Sequence, residues 1–338
     1  MKEKKGKIKA LCLLSGGLDS RLACKIMQEQ CDVEAVFFIL PFGAGCCSDK
    51  FCVFRFAQSN AFKLHIIDFT KGNLFRKFLE VIKHPEHGYG SAMNPCIDCH
   101  IFMLKEAKKI ARKINADVIV TGEVLNERPM SQHYAALKNV ETESGLQGKL
   151  LRPLSAKLLP ETQAEKNGLI DRGRLLSIQG RQRQKQIELA KKYKISFPSP
   201  AGGCLLCEKE FAAKLRDLLK HEKNVSEQDI ELLKIGRQFR INNTKIIVGR
   251  NHEENLMIKK LAGKNDLLLE AVDAPSPITL VRGKADKIAK EKAAEITAGY
   301  SDAKTEKVLI GLLPKKENIT AKKAEKEEID KFRITARK

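Results

Sequence analysis

The sequence has no apolar run long enough to cross a membrane. The longest, around Ala35–Phe42, falls far short of a bilayer span. It also lacks a secretory signal. Met1–Lys9 is basic, but the apolar stretch after it reads as a buried strand and not as a signal core. No membrane association and a cytoplasmic location are the expectations. There are no internal repeats. Acidic residues are in deficit: 42 Asp and Glu stand against 62 Lys and Arg, a net charge of +20. A surplus of that size favours a polyanionic partner, with nucleic acid the leading candidate. At 338 residues the chain has room for two domains, each with its own core.

Against these absences stands one hexapeptide, Ser15-Gly16-Gly17-Leu18-Asp19-Ser20. The apolar run Ile8–Leu14 precedes it as a strand. Leu22, Ala23, Ile26 and Met27 follow at helical spacing. The loop therefore lies where a strand turns into a helix. Its glycines let the backbone come close to a phosphate, and the free N–H groups of the helix start point at the anion. The Walker ending Gly-Lys-Ser/Thr is missing, so this is a different phosphate loop.

Further strands are expected at Glu34–Leu40, Leu64–Phe69, Asp117–Thr121 and Lys149–Leu154, with a helix at Ile101–Ile114. Alternating strands and helices give an α/β domain with a parallel sheet covered on both faces. Ligands bind such sheets at the carboxyl ends of the strands, where the hexapeptide and Gly122-Glu123 fall. Arg181–Lys194 is helical and polar on most faces. Ser196–Gly203 is a proline- and glycine-rich break, with helices expected at Phe211–His221 and Ser226–Ile235. Strands at Lys245–Val248, Leu267–Ala271 and Ile278–Val281 and a helix at Lys284–Gly299 then form a smaller basic α+β domain. The boundary is placed at Gly236, giving domains 1–235 and 236–338. The Lys- and Glu-rich tract Lys315–Lys338 is expected to be partly mobile.

Ten cysteines in a cytoplasmic chain point to metal or sulfur chemistry before disulfides. Cys12, Cys24 and Cys31 lie in apolar settings and read as core. Cys46, Cys47 and Cys52 lie in or near a glycine-containing loop and have no spaced partner pair. Two CxxC pairs stand out, Cys96-Ile97-Asp98-Cys99 and Cys204-Leu205-Leu206-Cys207, each following turn formers. Two such pairs can close a tetrahedral zinc site or hold an iron–sulfur cluster, and spacing alone does not choose between them.

The hexapeptide resembles the pyrophosphate loop (PP-loop) of ATP pyrophosphatases, which split ATP into AMP and pyrophosphate. Thr121-Gly122-Glu123-Val124-Leu125 with Ser131-Gln132 looks like an element of the tRNA 4-thiouridine synthases, and Leu151-Arg152-Pro153-Leu154 is similar to their next strand. The stretches MNPCIDCH, ERPMSQ, LRPLSAKLLP and SPAGGCL resemble those of thiouridylase-like PP-loop proteins. Residues 236 onward, with Ile247–Asn251, Asn255, Asp266, Arg282-Gly283 and Tyr300-Ser301, look like the RNA-binding domain of the NFACT proteins.

The resemblance implies a parallel sheet of the adenine-nucleotide alpha-hydrolase type and ATP-dependent thiolation of a tRNA uridine. ATP with magnesium would lie over Ser15, Gly16, Gly17, Leu18, Asp19 and Ser20, near Gly122, Glu123, Ser131 and Gln132. Asp19 would position magnesium and pyrophosphate. Cys96, Cys99 and Cys204 would hold a 4Fe-4S cluster with one iron left open for sulfide, and so count with Asp19 as catalytic. Arg250 and Arg282 would grip tRNA phosphates. A sulfur donor, either sulfide or a cysteine desulfurase, is implied as partner, and a homodimer stays open. Two other readings stay open. One is a PP-loop ligase or amidase with structural zinc on four cysteines. The other is a non-catalytic protein that binds ATP and RNA.

Overall fold

The computed structural model describes residues 8–43, 50–197, 203–315 and 317–336. The chain divides into two compact units, Met1–Glu208 and Lys209–Lys338. This division precedes the Gly236 turn, because the two helices before that turn belong with the sheet after it.

The first unit is built on strands β1 (Lys9–Leu13), β2 (Asp32–Ile39), β3 (Lys63–Asp68), β4 (Val118–Val120) and β5 (Leu150–Leu151). They form one sheet in the order β3-β2-β1-β4-β5, parallel throughout. Its helices are α1 (Leu18–Gln28), α2 (Lys50–Ser59), α3 (Gly72–Lys83), α4 (Cys96–Lys113), α5 (Tyr134–Ser144), the short α6 (Gln163–Lys166) and α7 (Gln184–Lys192).

Both faces of the sheet are covered, as continuous apolar strands require. Ala10 and Cys12 of β1 face a core shared with α1, α2 and α7, where Leu22, Ile26, Val53 and Ala190 pack; Cys24 and Cys31 are buried there too. Across the sheet, Phe69 gathers Phe38, Phe78 and Phe102, with ring centroids 5.1–5.3 Å away. Strand β1 pairs with β2 on one side and β4 on the other, so the order in which strands are added reverses between β1 and β4. A crevice opens at the carboxyl ends of strands where such a reversal occurs, and ligands of open α/β sheets bind there.

The second unit has strands β6 (Arg237–Ile241), β7 (Thr244–Val248), β8 (Leu267–Ala271), β9 (Thr279–Val281), β10 (Lys307–Leu313) and β11 (Glu317–Lys322) in the order β11-β10-β8-β9-β7-β6, all antiparallel. Helices α8 (Lys209–His221), α9 (Glu227–Leu233), α10 (His252–Leu261), α11 (Lys287–Gly299) and α12 (Lys326–Lys331) complete it. Leu232 and Ile258 pack with Ile247 and Leu280 on one face. Ala289, Ala293, Ile296 and Ile329 pack with Phe239, Leu269 and Ile310 on the other. Asp217 of α8 ties that helix to the sheet, accepting from Arg240 Nη2 at 2.7 Å and Lys245 Nζ at 3.0 Å.

The expected mobility of Lys315–Lys338 is not what the structure shows for Glu317–Lys331. Within this charged tract Ile319, Ala321 and Ile329 are spaced to meet the core. Ala321 and Ile329 are buried, and β11 pairs with β10 from Glu317 to Lys322. Among the described residues no helix is long and apolar enough to cross a membrane.

Candidate functional site

The PP-loop stands at the reversal between β1 and β4. Gly16 has φ +88, a left-handed conformation that favours glycine, and lets the chain turn sharply from β1 into α1. Ser20 Oγ donates to Gly17 O at 2.9 Å and accepts from Ser15 N at 3.2 Å, which closes the loop on itself. Arg21 Nε donates to Gly16 O at 2.8 Å. Gly17 caps α1 without any side-chain hydrogen bond, so the first N–H groups of the helix remain available to a ligand. Leu18 contributes only backbone, since its side chain is buried in the core. Gly122, at the end of β4, has to be glycine: a Cβ there would lie 2.5 Å from Ser20 N.

Asp19 is not on an exposed loop. It lies in the first turn of α1 with its carboxylate largely buried. Burial pushes this carboxyl up, while Arg183 and Arg128 pull it back. Its Oδ2 is 3.9 Å from Arg183 Nη2, and its Oδ1 has no hydrogen-bond partner. Glu127 is pushed up to about 6, first by burial and then by the charge of Asp19.

Glu123 has a structural setting. Its carboxylate accepts from Arg152 Nε and from Thr121 Oγ1, both at 2.9 Å, and meets His100 Nδ1 at 2.9 Å. Burial alone would raise the Glu123 carboxyl; Arg152 and His100 overcome it and hold the group well below the usual range. Arg152 also pairs with Glu141. Ser131 and Gln132 are buried in the loop after β4, where Gln132 O accepts from Asn126 N at 2.7 Å and Gln132 Oε1 has no partner.

The two CxxC pairs are brought together. Cys96 and Cys99 open α4, and Cys99 N bonds to Pro95 O. Asp98 between them accepts from Glu86 N and His87 N and anchors the loop before the helix. Met93 N donates to Leu206 O at 3.0 Å, and Cys204 bridges to Gly43 after β2. These contacts bind the second pair to the first at the ligand-bearing end of the sheet. The Cys204 thiol donates to the Cys207 sulfur; that bond raises Cys204 far above the usual thiol range and lowers Cys207. Burial raises Cys96 and Cys99. Arg128 acts electrostatically on Asp19, Cys96 and Cys207 alike.

The donor set is sulfur only, which suits zinc or an iron–sulfur cluster and not magnesium. Among the described residues no three His, Cys, Asp or Glu side chains already stand in position to hold a metal ion. Cys52 accepts from Arg21 Nη2 at 2.7 Å. Cys46 and Cys47 lie outside the described residues.

In the second unit the two arginines read as phosphate contacts are paired internally. Arg282 bridges Asp229 and Asp266, at 2.8 and 2.7 Å. Arg250 Nε donates to Glu254 Oε1 at 2.8 Å. Asp266 also accepts from Gly263 N and Gly283 N, which ties together two loops carrying the exposed Lys264 and Lys284. Sequence reasoning passed over these lysines, and also Glu127, Arg128, Arg183 and Gln186. The available signals were the Glu-Arg pair inside ERPMSQ and a helix polar on most faces that nonetheless buries Gln186.

No curated protein matches the chain. Residues 6–157 match the family model described as thiamine biosynthesis protein (ThiI), and residues 236–333 match that of the NFACT protein RNA binding domain. Among solved structures, the U34-tRNA thiolase NcsA from Methanococcus maripaludis, solved with its 4Fe-4S cluster, is 16% identical. That match covers 68% of this chain and 72% of the other, at a TM-score of 0.34. The C-terminal part of the fibronectin/fibrinogen-binding protein from Streptococcus suis is 14% identical over 70% of this chain and 90% of the other, at 0.27. The NMN synthetase of Francisella tularensis is 9% identical over 59% and 91%, at 0.28. At these scores none of the three bears on the site. Two stretches of the chain are thus similar to known families, residues 6–157 to the ThiI family and residues 236–333 to the NFACT RNA-binding domain, and neither match reaches half of the chain.

Proposed function

We propose that the protein thiolates a uridine of tRNA at the expense of ATP. The observation that carries this reading is that Met93 N bonds to Leu206 O and Cys204 bridges to Gly43, which holds the Cys204/Cys207 pair against the Cys96/Cys99 pair at the end of the sheet that also carries the PP-loop. The family matches support it from both ends of the chain.

The chemistry runs in two steps. The uracil oxygen attacks the α-phosphorus of ATP. The bond to the β-phosphate breaks with its electron pair leaving on pyrophosphate, and the uracil N3 proton passes to solvent. A sulfur nucleophile then attacks the activated carbon and AMP leaves. The N–H groups at the start of α1, which no cap side chain occupies, stabilise the charge that grows on the departing pyrophosphate. Asp19 positions the magnesium that accompanies it. A 4Fe-4S cluster on Cys96, Cys99 and Cys204 would supply a place to carry sulfide. Arg128, which acts electrostatically on Asp19 and on Cys96 and Cys207, supplies positive charge to both halves of the site.

The deciding experiment is mass spectrometry of tRNA nucleosides from cells with and without this protein, together with metal analysis of the anaerobically purified chain. Loss of one thiolated uridine, with iron bound, supports the reading. Zinc in place of iron and an unchanged nucleoside profile would reject it and favour the ligase.

Phosphate binding to the second unit is expected to depend on Lys264 and Lys284, whose loops Arg282 and Asp266 hold together. Neutralising about four phosphates implies a fall in tRNA affinity of roughly 50- to 150-fold between 50 and 200 mM salt. Charge reversal at Lys264 and Lys284 should flatten that dependence and leave ATP binding untouched, as filter binding across a salt series would show. A salt dependence identical to that of the unmodified protein would refute this assignment.

A further inference from the structure

Six buried side-chain N and O atoms lack a hydrogen-bond partner among the described residues, on Asp19, Gln132, Arg183, Gln186 and Gln238. Unsatisfied buried polar atoms are costly and rare, and each asks for a reason. Gln238 belongs to the second unit. The other five are Asp19 Oδ1, Gln132 Oε1, Arg183 Nε and both amide atoms of Gln186. They belong to one neighbourhood. Arg183 Nη2 is 3.9 Å from Asp19 Oδ2, the Gln186 amide acts on the same carboxylate as a donor but without a well-formed hydrogen bond, and Gln132 is on the loop whose Arg128 acts on Asp19.

The backbone there is equally unfulfilled. Gly17 is the N-cap of helix α1 and Arg183 the N-cap of helix α7, and neither helix has a side-chain cap. The two helices pack on each other, so two uncapped N-termini come together at Asp19. Uncapped N–H groups, an arginine with a free nitrogen and a fully buried amide make up the donor set of an oxyanion site. The ion pair already there is a poor one: at 3.9 Å the Arg183–Asp19 contact is long, and it satisfies only part of each group.

We propose that Arg183 and Gln186 are contacts for the β- and γ-phosphates of ATP. Arg183 gives up Asp19 for a phosphate oxygen when magnesium–ATP binds. The exchange frees the Asp19 carboxylate for the metal and places a guanidinium where the leaving pyrophosphate gathers charge. Gln186 donates its amide N–H to the same group. This rests on the PP-loop being the nucleotide site but not on the identity of the acceptor.

The test uses the full chain, without tRNA. Equilibrium binding is measured for AMP and for a non-hydrolysable ATP analogue with a methylene group between the α- and β-phosphates, both with magnesium. In Arg183→Gln, affinity for the analogue should fall roughly 10- to 100-fold, with AMP affinity unchanged. Arg183→Lys should recover part of the loss, since it restores charge without the fork. Gln186→Met, which keeps the volume, should cost the analogue about 3- to 10-fold and AMP nothing. Thermal melting separates binding losses from misfolding. Equal losses for AMP and the analogue, or no loss for either in a folded variant, would overturn the proposal. So would failure of the unmodified chain to bind the analogue. If the unmodified chain binds it and the variants behave as stated, but tRNA carries no extra sulfur, the phosphate contacts stand and the thiolation reading falls.

Discussion

Replacing Asp19 by alanine is expected to lower tRNA-dependent pyrophosphate release by about 10²–10³-fold, the usual cost of losing a group that organises transition-state charge. The fold should survive intact. The Asp19 carboxylate is largely buried, its Oδ1 lacks a hydrogen-bond partner among the described residues, and its ion pair with Arg183 through Oδ2 is long at 3.9 Å. Burial raises its carboxyl, so ionising it is less favourable in the folded chain than in the unfolded one. Its removal should leave the melting temperature unchanged or higher. ATP affinity measured without magnesium should hold or tighten, because a negative charge leaves the neighbourhood of the triphosphate and Arg183 becomes free to meet it. Asp19→Ala and Arg183→Gln therefore separate: the first loses turnover and keeps binding, the second loses binding. Quench-flow measurement of pyrophosphate, beside equilibrium ATP binding, reads both. Undiminished release by a folded Asp19→Ala protein would remove the adenylation step from this account.

The part of this site that follows from local sequence was legible in it. Six residues between an apolar run and a helical pattern specify the PP-loop, because strand, turn and helix are each set by neighbours a few positions away. The two CxxC pairs were legible for the same reason. What could not be read depends on partners distant in the chain. Arg282 resembles a phosphate contact until Asp229, fifty-three positions earlier, is seen to hold it. Arg183 sits in a polar helix that reads as a solvated face, and only the fold shows that Gln186 is buried beside Asp19. The C-terminal tract misled through composition: its lysines and glutamates outnumber the spaced Ile319, Ala321 and Ile329, yet those three meet the core and order the segment.

The second large effect is expected at Arg152. Its side chain is almost wholly buried and reaches Glu123, Glu141 and the carbonyl of Leu137. Arg152→Met keeps much of the volume but leaves the Glu123 carboxylate buried, with only His100 and Thr121 beside it. Removing one partner of a buried ion pair costs about 3–5 kcal/mol, a large part of the stability of a unit this size. Replacing both, as Arg152→Met with Glu123→Leu, should recover much of that loss, because no unpaired charge remains in the core. The pH dependence has a definite sign. Arg152 and His100 hold the Glu123 carboxyl below its ordinary value, so the stability it contributes is present above about pH 4.3 and drains away as pH falls further. The double variant should therefore lose less stability on acidification than the unmodified protein. Urea unfolding of the full chain, followed at pH 7 and pH 4, measures both effects. A single variant as stable as the unmodified protein, or a double variant no better than the single, would show that Arg152 acts through packing and not through its charge.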